Sequence, residues 1–303
     1  MKLLSSVSLL FCSLIVFSPH VWGFAFFTYD RDLGLISSDN GDPVVWQERR
    51  VAFGISLNPL RFHQDTIHAM DAWNAAGADI ELIQGASVGS TCNTTSNAGI
   101  NSDGINSIAF TLDNCGLAWG DVLGITHLWA RTTPDGDTYL IDTDISLRAF
   151  TNEPTNHWAQ EGDPSIPDNT SCYRNAQGGL TCEFYRVVLH ELGHAVGLEH
   201  PDELGQSVTA VMNSGGSTHP SPRDLAEDDI NGIQEIYASD GRDVIDGTAR
   251  LAARSGDTSA TRDKVSSGGF HFTFLIFLGF YIIIKESRRK SLTCRLRARF
   301  FNF

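Results

Sequence analysis

Basic residues are scarce over most of this 303-residue sequence. Lysine and arginine together number 22 against 36 aspartates and glutamates, which gives a formal net charge of −14. A protein that binds nucleic acid needs a basic surface to neutralise phosphates, so this balance argues against a nucleic-acid partner. No internal repeat is apparent, and the sequence therefore does not predict a repeat architecture.

The two ends of the chain differ from its middle. Residues 1–23 match a secretory signal peptide, with Lys2 at the positive start, an apolar run from Leu3 to Phe17, and a cleavage point ahead of Phe24. A retained signal anchor is the alternative. We favour cleavage because the apolar run is short for a membrane span.

The C-terminal region carries a second apolar run, from Phe270 to Ile284, followed by an arginine-rich end. A short apolar stretch with a basic flank predicts a membrane anchor, here residues 270–303, whose tail stays in the cytoplasm. Residues 239–269 are polar and predict a flexible linker. The Gly268-Gly269 pair, the apolar run and the basic end together resemble GlyGly-CTERM sorting tails, with a plain anchor as the alternative. We therefore expect an exported protein, extracellular or held at the cell surface.

The sequence contains no CxxC pair, the spacing typical of many structural zinc sites. Four of its six cysteines, Cys92, Cys115, Cys172 and Cys182, lie in the part expected to be exported. Four cysteines in an exported domain predict two disulfides, for which three pairings are open. We favour Cys92–Cys115 and Cys172–Cys182, because each pair is close in sequence and flanks a loop. A second zinc site is the competing interpretation.

The central region, residues 24–238, is expected to form one domain. Apolar residues that alternate predict strands, and apolar residues at helical spacing predict helices. The predicted strands are Val51–Leu57, Ile80–Ile83, Ser107–Leu112, Gly124–Trp129 and Tyr139–Leu147, and the predicted helices are Arg61–Ala76, Glu183–Val196 and Asp224–Tyr237. Polar, glycine-rich stretches predict loops over Gly85–Asp103 and Arg148–Leu180. This order of elements predicts an α+β fold.

One motif carries the chemistry, a run that pairs His190 and Glu191 with His194, Gly197 and His200 in the pattern HExxHxxGxxH. Residues four apart share a helix face, so the first two histidines can approach one ion. The third requires the chain to turn back, and Gly197 can adopt the positive φ of such a turn. Three neutral histidines leave a zinc position open for water, and Glu191 can act on that water as a general base.

This extended motif resembles the metzincin zinc metalloproteases. Met212, within residues 209–214, resembles the methionine turn that underlies the metal in that clan, with a plain core methionine as the alternative. Within the clan the chain most resembles the matrixins. Asp228–Tyr237 resembles their C-terminal helix, and Asp144-Ile145 resembles the strand that borders their substrate cleft.

The resemblance implies a metzincin domain with a twisted, mostly parallel sheet, an active-site helix and a C-terminal helix. It implies one catalytic Zn²⁺ and a protein or peptide substrate that pairs with the strand carrying Asp144, Ile145, Ser146 and Leu147. The function expected from it is that of a secreted or surface-tethered, monomeric zinc endopeptidase. The alternative is a zinc-containing surface module without catalysis, against which the presence of Glu191 argues.

The chain also departs from the matrixin pattern. Pro201 follows the third histidine where serine or threonine is usual, and Ser214 leaves no tyrosine to serve as a further zinc ligand. No Pro-Arg-Cys-Gly latency motif occurs. His127 and Asp121 are candidate remnants of a structural metal site, although we favour a lone surface histidine.

Calcium is left open as a second ion. The acidic turns Asp39–Asp42 and Asp135–Asp137 offer carboxylate oxygens of the kind that calcium prefers. Solvated turns are the favoured interpretation of both.

Overall fold

The computed structural model describes residues 23–30, 35–37, 42–92, 94–95, 99–100, 102–151, 155–214, 222–238 and 275–276. The expected signal peptide (save Gly23), the linker, most of the C-terminal segment and most of the acidic turn at 39–42 lie outside these residues. Over the described ranges, no helix has both the length and the apolarity that crossing a membrane requires.

The described part of the chain contains three α-helices, one short 3-10 helix and a larger number of strands. The helices are α1 (Leu60–Asn74), α2 (Phe184–Ala195) and α3 (Glu227–Ile236), and the 3-10 helix covers Asp202–Leu204. The strands are β1 (Ala25–Phe26), β2 (Thr28–Asp30), β3 (Leu35–Ser37), β4 (Asp42–Pro43), β5 (Val45–Trp46), β6 (Arg50–Ser56), β7 (Glu81–Gln84), β8 (Thr94–Thr95), β9 (Gly99–Ile100), β10 (Ser107–Thr111), β11 (Gly124–Thr132), β12 (Thr138–Arg148), β13 (His157–Ala159), β14 (Cys172–Arg174), β15 (Leu180–Glu183), β16 (Leu198–Glu199) and β17 (Leu275–Ile276).

The main sheet has the order β7-β6-β10-β12-β11. The pairs from β7 to β12 are parallel, and β5 also joins β12 in parallel. Only β11 runs antiparallel to β12, with an irregularity in register between Trp129 and Ala130. The outer edge of β11 is paired with β17 at Ala130 and Arg131. The predicted α+β class with a mostly parallel sheet is confirmed.

Helices α1 and α2 pack together beneath this sheet. The buried face of α1 carries Met70 and Trp73, at the helical spacing that predicted it. The indole nitrogen of Trp73 donates to the carbonyl oxygen of Leu189 at 2.9 Å, which fixes α1 against α2. All 12 residues of α2 are buried. Its polar side chains are therefore removed from water, and each needs a partner within the protein.

A buried ion network fixes the start of α2. The carboxylate of Glu183 lies 2.8 Å from Nε of Arg186 and 3.0 Å from Nε of Arg223, and it also accepts the backbone N–H of Gly162 at 2.7 Å. Glu183 and Arg186 are both fully buried. Removing one partner of such a network leaves a buried charge unpaired, which lowers the free energy of unfolding by about 3–5 kcal/mol.

The stretch from Arg148 to Leu180 is not the structureless loop that its composition predicted. Its chain forms a small sheet in the order β13-β15-β14. Trp158 of β13 packs edge-on against Phe184 at the start of α2, with ring centroids 5.6 Å apart. Strands of three or four residues are too short to show an alternating pattern, which explains the error. In the predicted loop from Gly85 to Asp103, the residues that the structure describes include only the two-residue strands β8 and β9.

The segment before β6 was assigned no elements from the sequence, yet it is tied to the centre of the domain. β1 pairs with β16, the short strand that follows α2. The indole nitrogen of Trp46 donates to the carbonyl oxygen of Ala195 at 2.9 Å. Its backbone N–H donates to the hydroxyl of Tyr237 at 3.1 Å. The N-terminal segment therefore closes over the end of α2.

Both disulfides in the structure have the pairing that we favoured. Cys92 and Cys115 have Cα atoms 5.2 Å apart, and the bridge links the 85–103 loop to the segment before β11. Cys172 and Cys182 face each other across β14 and β15, with Cα atoms 4.1 Å apart. The second bridge therefore holds together the small sheet that leads into α2.

Replacing both Cys172 and Cys182 by serine is expected to lower the free energy of unfolding by about 3 kcal/mol. Closure of a loop with a sequence separation of 10 accounts for that amount. In a domain of this size the melting temperature should fall by about 6–12 °C, measured by circular dichroism. An unchanged melting temperature in the double-serine protein would show that the bridge does not constrain the chain.

Candidate metal centre

Three histidine rings converge at the C-terminal end of α2. His190 and His194 lie one helical turn apart on the same face of α2. The chain then reverses at Gly197, whose φ is +103° and where a Cβ atom would lie 2.8 Å from the carbonyl oxygen of Val44. This reversal returns His200 to the other two rings. The three Nε2 atoms lie 3.0–3.1 Å from one another.

The opposite ring nitrogens define the tautomers of two of these rings. Nδ1 of His190 lies 2.7 Å from the carbonyl oxygen of Val211, and Nδ1 of His194 lies 2.9 Å from that of Leu198. A carbonyl oxygen can only accept, so each Nδ1 carries the proton and donates it. Each Nε2 then presents a lone pair toward the other histidines, as a metal ligand must.

The third ring has acidic neighbours instead. Nδ1 of His200 lies 3.4 Å from a carboxylate oxygen of Glu203 and 3.6 Å from one of Glu199. Burial alone would lower the pKa of His200, but the nearby carboxylates of Glu203, Glu199 and Asp202 outweigh it and raise that pKa. The pKa of His190 lies well below its usual value because of burial and the two neighbouring histidines.

The geometry of the three histidines fits a zinc ion. Tetrahedral ligands at the usual Zn–N length of about 2.0–2.1 Å lie about 3.3 Å from one another, close to the spacing of these nitrogens. Three lone pairs that face each other in a buried site repel unless a cation lies between them. Across the described ranges, this is the only set of three or more His, Cys, Asp or Glu side chains whose ligand atoms all lie within 4.8 Å.

Glu191 lies beside the histidines and is held by β11. The hydroxyl of Thr126 donates to its Oε2 at 2.7 Å, and a Cβ atom on Gly124 would lie 2.6 Å from its Oε1. Burial raises the pKa of Glu191 to about 7, against the opposing effects of the Thr126 hydrogen bond and of His200. A carboxyl group with a pKa near neutrality can both take up and release a proton at physiological pH.

Met212 packs against the segment of α2 that lies between His190 and His194. Its side chain packs against Gly193 so closely that a Cβ atom there would overlap Sδ and would lie 2.9 Å from Cζ2 of Trp73. Glycine at position 193 is therefore required by packing, although glycine normally weakens a helix interior. The methionine therefore packs against the stretch of α2 that lies between His190 and His194.

Asp229 of α3 holds the methionine turn, a role that the sequence did not reveal. Its buried carboxylate accepts backbone N–H groups from Val211 at 2.8 Å, from Met212 at 3.1 Å and from Ala226 at 2.8 Å. Burial raises the pKa of Asp229 to about 6, although the three hydrogen bonds oppose that shift. The only signal available beforehand was that Asp229 lies within the matrixin-like C-terminal helix.

The structure contradicts the predicted substrate strand. Asp144, Ile145, Ser146 and Leu147 lie on β12, whose two edges are paired with β10 and β11. All four side chains are buried, and burial together with Asp142 and Asp103 raises the pKa of Asp144 to about 9. A strand with both edges occupied has no backbone groups left for a substrate. The strand beside Glu191 is β11.

His127 and Asp121 differ from expectation as well. His127 is a buried residue of β11, not a surface histidine, and its Nε2 lies 3.5 Å from Sγ of Cys115. Burial lowers the pKa of His127 to about 4. Asp121 is exposed and lies 3.8 Å from a guanidinium nitrogen of Arg174. The Asp135–Asp137 turn connects β11 to β12, and calcium at this turn stays a prediction.

The sheet, the placement of α2 and the three converging histidines form the arrangement that the resemblance to metzincins implied. The family model described as Matrixin matches residues 116–238, which include α2, the histidines, Met212 and α3. This part of the chain is therefore similar to the matrixins, in line with the resemblance of its zinc-binding motif.

Three curated relatives match short parts of the chain. An interstitial collagenase of Oryctolagus cuniculus is 43% identical over 53 residues, which are 18% of this chain and 10% of the relative. An interstitial collagenase of Equus caballus is 38% identical over 68 residues, 22% of this chain and 12% of the relative. A 72 kDa type IV collagenase of Gallus gallus is 40% identical over 53 residues, which are 18% of this chain and 7% of the relative. The chain thus spans about a tenth of the length of these relatives.

Because of the close packing at Gly193, a glycine-to-alanine change that would normally stabilise a helix is expected to destabilise this protein. Gly193→Ala in a helix interior would normally stabilise a protein by about 1 kcal/mol. Here we expect a loss of about 1–3 kcal/mol, because the new methyl group collides with Met212 and Trp73. Urea unfolding of the variant measures the change. Combining it with Met212→Ala should relieve part of the loss that Gly193→Ala causes, and a stabilised single variant would refute the packing argument.

Proposed function

We propose that this protein is a zinc-dependent endopeptidase that hydrolyses peptide bonds by means of a metal-activated water. The observation that carries the proposal is the convergence of the His190, His194 and His200 Nε2 atoms, together with the neighbouring Glu191, whose carboxyl pKa is raised by burial and lowered in part by the charge of His200. The match to the matrixin model and the partial similarity to collagenases support the same reaction class.

Each group at the site has a definite part in this reaction. Zinc held by the three histidines would acidify its water and polarise the peptide carbonyl. Glu191 accepts the proton that the attacking water loses and returns it to the leaving amine. Thr126 holds the Glu191 carboxylate by its hydroxyl, and Gly124 leaves the space that this carboxylate occupies. Met212 and Asp229 keep the floor of the site in place.

We propose that the substrate pairs with the outer edge of β11. Residues Gly124–Trp129 lie next to Glu191 in space, through Gly124 and Thr126. The pairing of β11 with β17 begins only at Ala130, beyond the irregularity in register. An extended peptide could therefore add to this edge by backbone hydrogen bonds. This position replaces the β12 strand that the sequence had suggested.

The domain organisation belongs to the same proposal. We propose that residues 1–23 are removed on export, that residues 24–238 act outside the cell as a monomer, and that residues 270–303 anchor or sort the protein through the 239–269 linker. The acidic chain is consistent with an exported domain and a peptide substrate, with no part for nucleic acid. The short shared length with the collagenases means that their printed substrates are not assigned to this chain.

A non-catalytic zinc-containing surface module is the alternative. It would need the three histidines but not the arrangement around Glu191. The hydroxyl of Thr126 and the close approach of Gly124 both contact that carboxylate and fix its position. This arrangement favours the enzyme.

Removal of the metal tests the proposal directly. The purified protein is expected to cleave casein or a peptide library, to lose that activity on treatment with a chelator, and to regain it when zinc is added, because a zinc-bound water supplies the nucleophile. Metal analysis should find about one zinc per chain when the site is loaded. Cleavage that persists in metal-free protein, or zinc binding with no cleavage of any library member, would reject the proposal.

Glu191→Gln is expected to lower kcat by at least about 100-fold while zinc stays bound. Glutamine has nearly the same shape but cannot accept the proton, and general-base catalysis is typically worth about 10²–10⁴-fold. Peptide cleavage rates and metal content measure the two effects separately. Glu48→Gln makes the same chemical change at an exposed position and should leave both unchanged. Full activity in Glu191→Gln would refute the assignment.

A further inference from the structure

The third histidine differs from the other two in what lies behind it. His190 and His194 each donate from Nδ1 to a backbone carbonyl oxygen. Nδ1 of His200 faces two carboxylates instead, with Glu203 Oε1 at 3.4 Å and Glu199 Oε1 at 3.6 Å. The Oε1 atom of Glu199 already accepts the backbone N–H of His200 at 2.9 Å. Of the two carboxylates, that of Glu203 lies nearer to Nδ1.

A short turn brings Glu203 to this position. Pro201 has helical backbone angles, φ −65° and ψ −36°, and leads into the 3-10 helix Asp202–Leu204. Residues three positions apart lie on the same side of such a turn, so the side chain of Glu203 lies next to that of His200. The neighbouring carboxylate of Asp202 accepts the backbone N–H of Ser214 at 2.8 Å and its hydroxyl at 2.6 Å. The turn is thereby fastened to the end of the methionine turn.

We propose that Glu203 is a positioning residue of the metal centre, whose carboxylate accepts the Nδ1 proton of His200 and thereby strengthens zinc binding through Nε2. The inference rests on the proposed zinc site. A carboxylate behind a ligating imidazole fixes the ring orientation and its tautomer and makes the ligating nitrogen more basic. Losing such a partner typically weakens metal affinity about 10–100-fold. Since Glu203 is 36% exposed, we expect the lower end of that range.

The same geometry accounts for two departures from the matrixin pattern. Pro201 follows the third histidine and starts the turn that carries Glu203. Ser214 occupies the position of a potential tyrosine ligand and is bound by Asp202. Both residues thus help to hold in place the turn that carries Glu203 next to His200. The charge-dependent part of the Glu203 effect should also decrease as salt is added, because Glu203 is reached by solvent.

Zinc affinity measured by competition with a chromophoric chelator tests this role without depending on peptide cleavage. Glu203→Ala is expected to weaken zinc binding about tenfold. Glu203→Gln should weaken it less, because an amide oxygen still accepts a hydrogen bond but carries no charge. Glu48→Gln, the same change at an exposed position, should bind zinc as the unaltered protein does. Melting temperatures of the metal-free proteins identify any variant that is misfolded.

The outcomes separate this inference from the proposed function. Unaltered zinc affinity in both Glu203 variants would overturn the positioning role while leaving the zinc site intact. A loss in Glu203→Ala that Glu203→Gln does not share, together with a lower melting temperature of the metal-free alanine protein, would also overturn it in favour of a packing role. Failure of the unaltered protein to bind zinc would instead reject the proposed function itself.

Discussion

The structure depends on keeping the Nε2 atoms of three buried imidazole rings 3.0–3.1 Å from one another. Such an arrangement is unfavourable in the absence of a cation, so the surrounding protein must hold each ring from behind. Two backbone carbonyl oxygens and the acidic turn after His200 do so on the histidine side. Met212, fastened by Asp229, and the N-terminal segment across Ala195 hold the helix that carries them. The sheet and the disulfides serve to make that support rigid.

Much of the fold follows from local sequence patterns. The helices α1, α2 and α3 and the strands β6, β7, β10, β11 and β12 show the expected periodicities, and their predicted ends differ from the observed ones by only a few residues. The histidine set is equally local, because two ligands share one helix face and a glycine returns the third. A pattern that is contained within eleven consecutive residues needs no knowledge of the rest of the chain.

The features that the sequence did not reveal depend on contacts between distant residues. Thr126 and Glu191 are 65 positions apart, and Trp46 reaches Ala195 across 149. No sequence pattern distinguishes Asp229, which holds the methionine turn, from an aspartate that is exposed in the first turn of a helix. The error over the substrate strand has a similar origin: β11 and β12 are both long and apolar, and only their pairing shows which of them is interior.

Among the described residues, the outer edge of β11 from Gly124 to Trp129 has no strand partner, and this affects how copies of the protein can interact. Unpaired backbone groups along a strand attract any extended chain, including the edge of a neighbouring copy. The irregularity after Trp129 limits the regular part of β11 to about six residues. A short peptide can therefore lie along this part of the strand more easily than a long flat strand can. If substrates bind at β11 as proposed, the backbone itself favours short extended chains over the edges of folded sheets.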